Sequence, residues 1–576
     1  MYSQLHFSRC RSGVLLAAAS IFLGTAACHR LATLSPFAYT GEKRVVAQNG
    51  AIATAHPLAT EVGRMILEEG GNAIDAAVAA QFALAVVYPE AGNIGGGGFM
   101  VIHLADGRDT AVDFREKAPG AATRDMYLDS TGRADPELSR NGALSAGVPG
   151  TVAGLELAHE FFGKLPMKKL IQPAIDLAAG GFALTAMGAR HLNSAREAFL
   201  RYNTVATQLT RDGGWKTGDT LVQPDLARTL TRIRDSGSAG FYRGETAEEI
   251  VSEMKRSHGL ISLTDLQDYH AVLRSPVRFA YHGYTVVSMP PPSSGGILLE
   301  QMLGMASGYP LASYGFESVR SVQLMCEIER RAYADRAMYL GDPDFVRVPV
   351  SALVSLAYLR ARMKDYDPYK ATPSSLVGAG SFPAESHQTT HLSVVDSAGN
   401  AVSVTYTLNN FYGSKVVVGH AGFLLNDEMD DFSAKPGAPN MFGLVGAEAN
   451  AIAPGKRMLS SMTPTIVLRG GKPYLVVGTP GGATIITSVF QTLVDLLDFR
   501  MTVSDAVNKP KFHEQWKPEP VDIEKGFPDS VRTAMEAMGY RFHAVGAIGR
   551  TEVIRIAGDS VEAVADHRGD DAAAGY

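Results

Sequence analysis

Gln388-Thr389-Thr390-His391-Leu392-Ser393-Val394-Val395-Asp396 is the stretch on which the reading of this chain turns. A polar loop, Pro383-Ala384-Glu385-Ser386-His387, runs into it, and polar and apolar residues then partly alternate, as they do along a strand. Ser397-Ala398-Gly399-Asn400 supplies turn chemistry, and Ala401-Val402-Ser403-Val404-Thr405-Tyr406-Thr407 is a second β-prone run. A two-residue turn at Ala398-Gly399 pairs position 397 with 400. It brings Thr389 back beside Thr407 and Leu408, to within the residue or two by which a bulge shifts a register. The expected product is a threonine-rich corner where a loop enters a hairpin.

A threonine hydroxyl is a poor nucleophile unless a base adjoins it, and this corner offers no obvious Ser-His-Asp or Cys-His arrangement. One self-contained solution is for the threonine to become an N-terminus. Its α-amino group, with a reference pKa of about 7.7–8.0, then accepts the hydroxyl proton near neutral pH. Cleavage between Gln388 and Thr389 would create such a residue. Taken alone, Thr-Thr-His in a strand is more often structural, so the rest of the chain has to decide.

At 576 residues the chain can bury a large core, and length alone suggests two to four domains. Hydrophobic residues at 46% and charged ones at 19% are ordinary globular values. A net charge of −6 without a broad basic excess disfavours nucleic acid and anionic membrane as partners. Arg9 and Arg11 precede the weakly polar run 13–27, which ends in small residues, as a signal peptide over 1–27 does. Its removal leaves 51 basic against 59 acidic residues, net −8, and implies export to the periplasm. Cys28 directly follows Thr25-Ala26-Ala27, a setting open to lipid attachment at Cys28 or to plain cleavage. Cys28 and Cys326 then make no disulfide framework, and Cys326 reads as a buried helix thiol.

Residues 72–87 are apolar nearly all round and predict a core helix. Gly92-Asn-Ile-Gly-Gly-Gly-Gly-Phe99 leads into a strand, and its four consecutive glycines imply a backbone passing very close to something. No Gly-Lys-Ser/Thr and no helix follows, which excludes a phosphate cradle. Strand 111–115 ends in a charged turn at Arg115, and 145–260 is mainly helical. His159-Glu160 lacks a second histidine at helical spacing, which rejects a zinc-protease motif. Residues 281–287 read as one strand, 316–340 as a charged amphipathic helix, and 365–385 as a mobile or exposed linker. A cluster of acids, 426–431, lies behind a short apolar strand, and 459–468 and 474–478 read as neighbouring strands. Thr479-Pro480-Gly481-Gly482 then opens a buried helix, so backbone N–H groups at its N-terminus face a place where negative charge could develop.

Six motifs in one order resemble the gamma-glutamyltranspeptidase (glutathione hydrolase) family. They are Gly92-Asn-Ile-Gly-Gly-Gly-Gly-Phe99, Asp113-Phe-Arg-Glu-Lys-Ala-Pro119, Gln388-Thr-Thr-His-Leu-Ser-Val-Val-Asp396, Asn426-Asp-Glu-Met-Asp-Asp-Phe432, Leu459-Ser-Ser-Met-Thr-Pro464 and Pro480-Gly-Gly482. The resemblance implies an α+β fold, the four-layer αββα sandwich of N-terminal nucleophile hydrolases. It implies one precursor cut between Gln388 and Thr389 into a large subunit, 28–388, and a small catalytic one, 389–576, which stay together as a heterodimer. The implied substrates are small: glutathione and other γ-glutamyl donors, with water, amino acids or dipeptides as acceptors. No metal or cofactor is implied.

Residue by residue, the resemblance makes Thr389 the nucleophile, with its own amine as base, and Thr407 the hydroxyl that orients it. Gly481 and Gly482 serve the oxyanion. Arg115, with Ser460 and Ser461, takes the substrate α-carboxylate; Asp431, Glu428 and Asn409 take the α-ammonium. The site thus needs both signs of charge, held apart. Where several bacterial members carry a lid tyrosine, this sequence has Phe442, which lacks the latching hydroxyl and leaves open the balance of water against amine acceptors. A cephalosporin or glutaryl acylase of the same architecture is the nearest rival. It would not need Asp431. An exported peptide-binding lipoprotein without chemistry is the rival from another class.

Overall fold

The computed structural model describes residues 34–378, 390–435 and 447–576. Thr390–Val395 and Ala401–Thr407 are both strands, and they pair antiparallel from Thr390 opposite Tyr406 to Val395 opposite Ala401. The turn between them differs by one residue from the two-residue expectation. Asp396 N donates to Asn400 O, so 396 rather than 397 faces 400, and the loop has three residues. Asp396 Oδ1 accepts from the backbone N–H groups of Ala398 and Asn400, and Gly399 takes a φ of +93°. That is the three-residue hairpin, with glycine at the left-handed position.

These strands sit inside a seven-stranded antiparallel sheet in the order Ala572–Gly575, Ala51–Thr54, Thr390–Val395, Ala401–Thr407, Gly97–His103, Asp109–Phe114, Val272–Arg274. A second seven-stranded sheet runs Arg44–Ala47, Ser560–Val564, Glu552–Ala557, Lys472–Gly478, Thr465–Arg469, Tyr284–Ser288, Val277–Tyr281. Between the sheets lie Phe99, Val101, Val287, Ile466, Val476 and Ile554. Helices Pro57–Glu68 and Ala73–Val87 pack on the outer face of the first sheet, and Gly295–Ala306, Val319–Tyr339 and Thr484–Leu497 on that of the second. The result is the four-layer αββα sandwich. Because both sheets share one inner core, residues 34–576 form a single compact unit rather than two to four.

The alternation in the hairpin has a specific outcome. Leu392, Val394, Val402 and Val404 point to the helices, where each buried side chain contributes about 1.5–3 kcal/mol. The polar set faces the second sheet and is satisfied there. His391 Nδ1 pairs with Thr405 Oγ1 at 2.9 Å, and Ser403 Oγ donates to Val477 O at 3.1 Å and accepts from Thr465 N. Burial pushes the His391 pKa down to about 3, so the ring stays neutral.

The helix Ala73–Val87 is buried along its whole length and opens with a reciprocal cap between Asn72 and Asp75. The glycine run meets its expected close neighbours: a Cβ on Gly95 would stand 2.1 Å from Leu424 O, and one on Gly96 2.0 Å from Thr407 O. Three other expectations are corrected. Residues 277–288 form two strands, Val277–Tyr281 and Tyr284–Ser288, because His282 and Gly283 both take positive φ and make a hairpin turn. No strand precedes the acids; Leu424 makes only an isolated bridge to Val417. The helix Val319–Tyr339 has no broad solvent face: residues from Ser321 to Ala337 are buried, with Cys326 among them. Part of the expected linker lies over it, held where Thr372 N donates to Glu327 and Trp516 Nε1 to Ser374 O and Val377 O.

Candidate active site

The strand Asp109–Phe114 delivers Arg115 inward rather than to the surface; the side chain is 1% exposed. Its Nη1 donates to Glu428 Oε2 at 2.8 Å and its Nη2 to Asp431 Oδ2. Both carboxylates ride on the short helix Glu428–Asp431. Arg115 Nε and Nη2 also donate to Met458 O and Leu459 O, each at 3.3 Å, which draws the segment before strand Thr465–Arg469 to the guanidinium. Asn450 links the two sides, donating from Nδ2 to Asp431 O and accepting from Leu459 N. Three expected residues, Arg115, Glu428 and Asp431, are thereby brought into contact, and Ser460 and Ser461 follow Leu459 directly in the chain.

The expected separation of positive and negative groups is not what the structure holds. Arg115 closes directly on Glu428 and Asp431, because a buried charge left unpaired is far more costly than an ion pair. Carboxylates are nonetheless in excess. Glu116, fully buried, stands 3.6 Å from Arg115 Nη1. Among the described residues, Glu116 Oε1 and Oε2, Glu428 Oε1 and Asp431 Oδ1 receive no hydrogen bond. Burial, opposed by Arg115 and reinforced by Asp431 and Asp113, pushes Glu116 up to about 8. Burial likewise raises Glu428 well above the carboxylate range, against the pull of Arg115 and with Glu116, Asp431 and Asp427 adding to the rise. Burial raises Asp431 too, against the pull of Arg115 and Arg336. The cluster thus holds three acids around one guanidinium, with Arg336 as a second positive charge acting on Asp431.

Asn409 and Thr407 adjoin this cluster. Asn409, at φ +76°, donates from Nδ2 to Asp427 O, and its N–H donates to Thr407 Oγ1 at 2.7 Å. Thr407 ends its strand one residue beyond the pair Thr390–Tyr406, and its carbonyl accepts from Asn93 Nδ2. The register therefore aims Thr407 at the start of the Thr390 strand. Thr389 and Gln388 themselves lie outside the described residues, as do Cys28, the signal-like stretch 1–27 and Phe442. Ser460 Oγ accepts from Met462 N, and its carbonyl accepts from Ser294, whose hydroxyl also accepts from Arg336 Nε. Gly481 and Gly482 take φ of +142° and +58° in the turn ahead of helix Thr484–Leu497.

Sequence reasoning missed three supports. Glu116 follows Arg115 inside the same motif, but adjacency alone does not reveal that both are buried. Asn426 accepts from Gly147 N and Glu428 N and donates to Gly95 O, tying the acids to the glycine run. Asn93 joins Thr407 to Gly96 and Thr151. Both asparagines stand in quoted motifs, and that was the available signal.

The gamma-glutamyltranspeptidase family model matches residues 59–576. The glutathione hydrolase proenzyme of Escherichia coli (strain K12) is 48% identical over 537 residues, covering 92% of this chain and 93% of its own. Among solved structures, a cephalosporin acylase from Bacillus halodurans superposes with a TM-score of 0.81 at 25% identity, over 95% of this chain and 99% of that one. Gamma-glutamyltranspeptidase from Helicobacter pylori matches with a TM-score of 0.55 and 48% identity, covering 56% of this chain and 93% of its own. With the sandwich, the buried guanidinium–carboxylate wall and these likenesses together, the chain belongs to the gamma-glutamyltranspeptidase family.

Proposed function

We propose that the protein is an autoprocessed γ-glutamyl hydrolase and acyltransferase, acting on glutathione and related γ-glutamyl compounds. The observation that carries this reading is the wall built from Arg115, Glu428 and Asp431, with Glu116 behind it. A γ-glutamyl group ends in an α-carboxylate and an α-ammonium. Arg115 turns its planar fork to the carboxylate, with Ser460 and Ser461 as further donors. The ammonium takes the place of the guanidinium on Asp431 and Glu428, and Asn409 completes that end.

The chemistry starts with the precursor. Thr389 Oγ attacks the Gln388 carbonyl, the acyl group moves from N to O, and water releases it, leaving Thr389 with a free amine. In turnover that amine takes the hydroxyl proton as Oγ attacks the γ-carbonyl carbon. Gly481 and Gly482 N–H groups receive the oxyanion. Collapse expels the leaving amine, which carries the proton away and leaves an ester on Thr389. Water or an acceptor amine then attacks the ester, passes its proton to the Thr389 amine, and frees the hydroxyl. The mature enzyme is a two-chain heterodimer of 28–388 and 389–576. The match of nearly all of the H. pylori chain to 56% of this one supports a cut chain. The leader 1–27 places the enzyme in the periplasm, soluble or anchored through Cys28.

A denaturing gel tests the mechanism: mature protein runs as two bands and Thr389→Ala as one full-length band without turnover. Material that keeps the 388–389 bond yet turns over γ-glutamyl-anilide refutes it. The B. halodurans likeness favours an acylase as second reading, and a preference for glutaryl-anilide over γ-glutamyl-anilide would establish that instead. A peptide-binding lipoprotein would stay a single chain and be inert.

A further inference from the structure

The strands Thr465–Arg469 and Lys472–Gly478 form a hairpin with Thr465 opposite Val477, so Ser460 and the Gly481 turn leave it at the same end. The ladder between the strands stops at that pair and does not set how far apart the two segments stand. The helix Val319–Tyr339 touches both. Arg336 Nε donates to Ser294 Oγ at 2.8 Å, and Ser294 donates from N and Oγ to Ser460 O at 2.7 and 2.6 Å. Three positions earlier, on the same helical face, the Tyr333 hydroxyl donates to Ala483 O. Tyr333 is 3% exposed, and its ring meets that of His513 edge-on at 5.7 Å. His513 in turn pairs with Thr487 Oγ1 at 2.8 Å. Ala483 is the N-cap of helix Thr484–Leu497 and has no polar side chain to cap it. Thr484 Oγ1 donates to Gly481 O and Arg550 N to Thr479 Oγ1, each at 2.8 Å. Those two bonds shape the turn, but they do not tie it to the helix that holds Ser460.

We propose that Tyr333 is a positioning residue: through Ala483 it holds the Gly481 and Gly482 N–H groups at a fixed distance from the Ser460 side, and so governs the rate of acyl transfer. The inference rests on the γ-glutamyl reading above, in which the donor's head group lies against Arg115, Asp431 and Ser460 while its γ-carbonyl oxygen meets the two glycines. Head group and carbonyl belong to one short molecule, so the gap between their two sites has to match it. Reacting groups misplaced by about 1 Å lose about a hundredfold in rate. Removing the Tyr333 hydroxyl leaves Ala483 O one hydrogen bond short and frees the N-terminus of helix Thr484–Leu497 to shift. The head-group contacts of the donor stay as they are, because Arg336 and Ser294 still hold Ser460.

The test compares mature Tyr333→Phe, which keeps the ring and its contact with His513, with the parent. Hydrolysis of γ-glutamyl-anilide gives kcat per folded, two-chain molecule, counted from gels and thermal melts. Competition by L-glutamate, which carries the whole head group but forms no oxyanion, gives an inhibition constant. In Tyr333→Phe kcat falls about ten- to hundredfold, while the glutamate inhibition constant stays within about twofold of the parent's. A kcat within about twofold of the parent overturns the proposal. So does a parallel loss of kcat and of glutamate binding, which is what a merely structural tyrosine produces. Thr484→Val loosens the same turn, so the double variant with Tyr333→Phe loses less than the product of the two single losses; strictly multiplicative losses overturn the proposal as well. Should Tyr333→Phe not mature, Tyr333→His, which keeps a ring with an N–H donor of shorter reach, is scored by the same two numbers. A parent enzyme that cannot hydrolyse γ-glutamyl-anilide sinks the γ-glutamyl reading. One that hydrolyses it no faster than Tyr333→Phe does sinks the positioning role alone.

Discussion

Two buried charge clusters in this molecule look alike in composition and differ in balance. Beneath the helix Val319–Tyr339, Glu327 meets Arg331 at 2.5 Å, Arg330 at 3.6 Å, the Tyr540 hydroxyl at 2.7 Å and Thr372 N at 3.1 Å. Burial works to raise Glu327, yet Arg330, Arg331 and these hydrogen bonds outweigh it and hold its pKa below the ordinary value. Around Arg115 the outcome is reversed: Glu428 and Glu116 are raised, and four carboxylate oxygens lack donors among the described residues. Glu327 itself is fully paired and glues helix to neighbour, while Glu514, 3.3 Å from Arg330, is pushed up to about 8 by its burial. The second leaves its acids raised by burial in spite of Arg115, which is the imbalance that the proposed ammonium contact would relieve.

Swapping the charges in each cluster separates the two roles. The largest effect is expected from Arg115→Leu. Donor kcat/KM falls about a thousandfold, about 4 kcal/mol, while the melting temperature moves only a few degrees, since carboxyls already raised can keep their protons. Steady-state kinetics and thermal melts of the same preparation check this; a large loss of stability with activity intact would break the comparison. Arg331→Leu is the mirror experiment. It strands Glu327 and costs about 3–5 kcal/mol in denaturant unfolding, with kcat/KM per folded molecule unchanged.

Two smaller effects sharpen the difference. Asp431→Asn removes half of the ammonium contact, and the ratio of γ-glutamyl- to glutaryl-anilide turnover falls about ten- to hundredfold. An unchanged ratio would remove Asp431 from donor recognition. The smallest effect is in pH. Glu116 keeps its proton to about pH 8 in the folded protein but loses it near the ordinary 4.5 of a glutamate when unfolded. Over that window the folded state binds more protons, so stability falls as pH rises, by at most about 1.4 kcal/mol per unit for one proton. Glu116→Gln has no such slope, and its melting temperature relative to the parent climbs from pH 5 to pH 8. A flat difference would mean that Glu116 ionises normally.

The hairpin, the core helix and the glycine run were legible because their signals are local. Alternation, a capping asparagine and consecutive small residues report on a few neighbouring positions at a time. The turn register was off by one because the side chain of Asp396, not the turn dipeptide, chose the loop length. The helix Val319–Tyr339 was misread as half exposed for a related reason. Charged residues in a periodic pattern ordinarily mark solvent, and only the partners that cover them reveal burial.

By itself the sequence determined the catalytic-hairpin strands, the buried helix after Asn72 and the motif series that identifies the family. Only the tertiary structure decided that Arg115 spans Glu428 and Asp431, 313 and 316 positions further along. It also decided that Glu116 lies buried among them and that Tyr333 donates to Ala483 beside the Gly481 turn. Periodicity constrains a segment of chain, whereas the protonation and strength of a buried charge depend on every group folded against it.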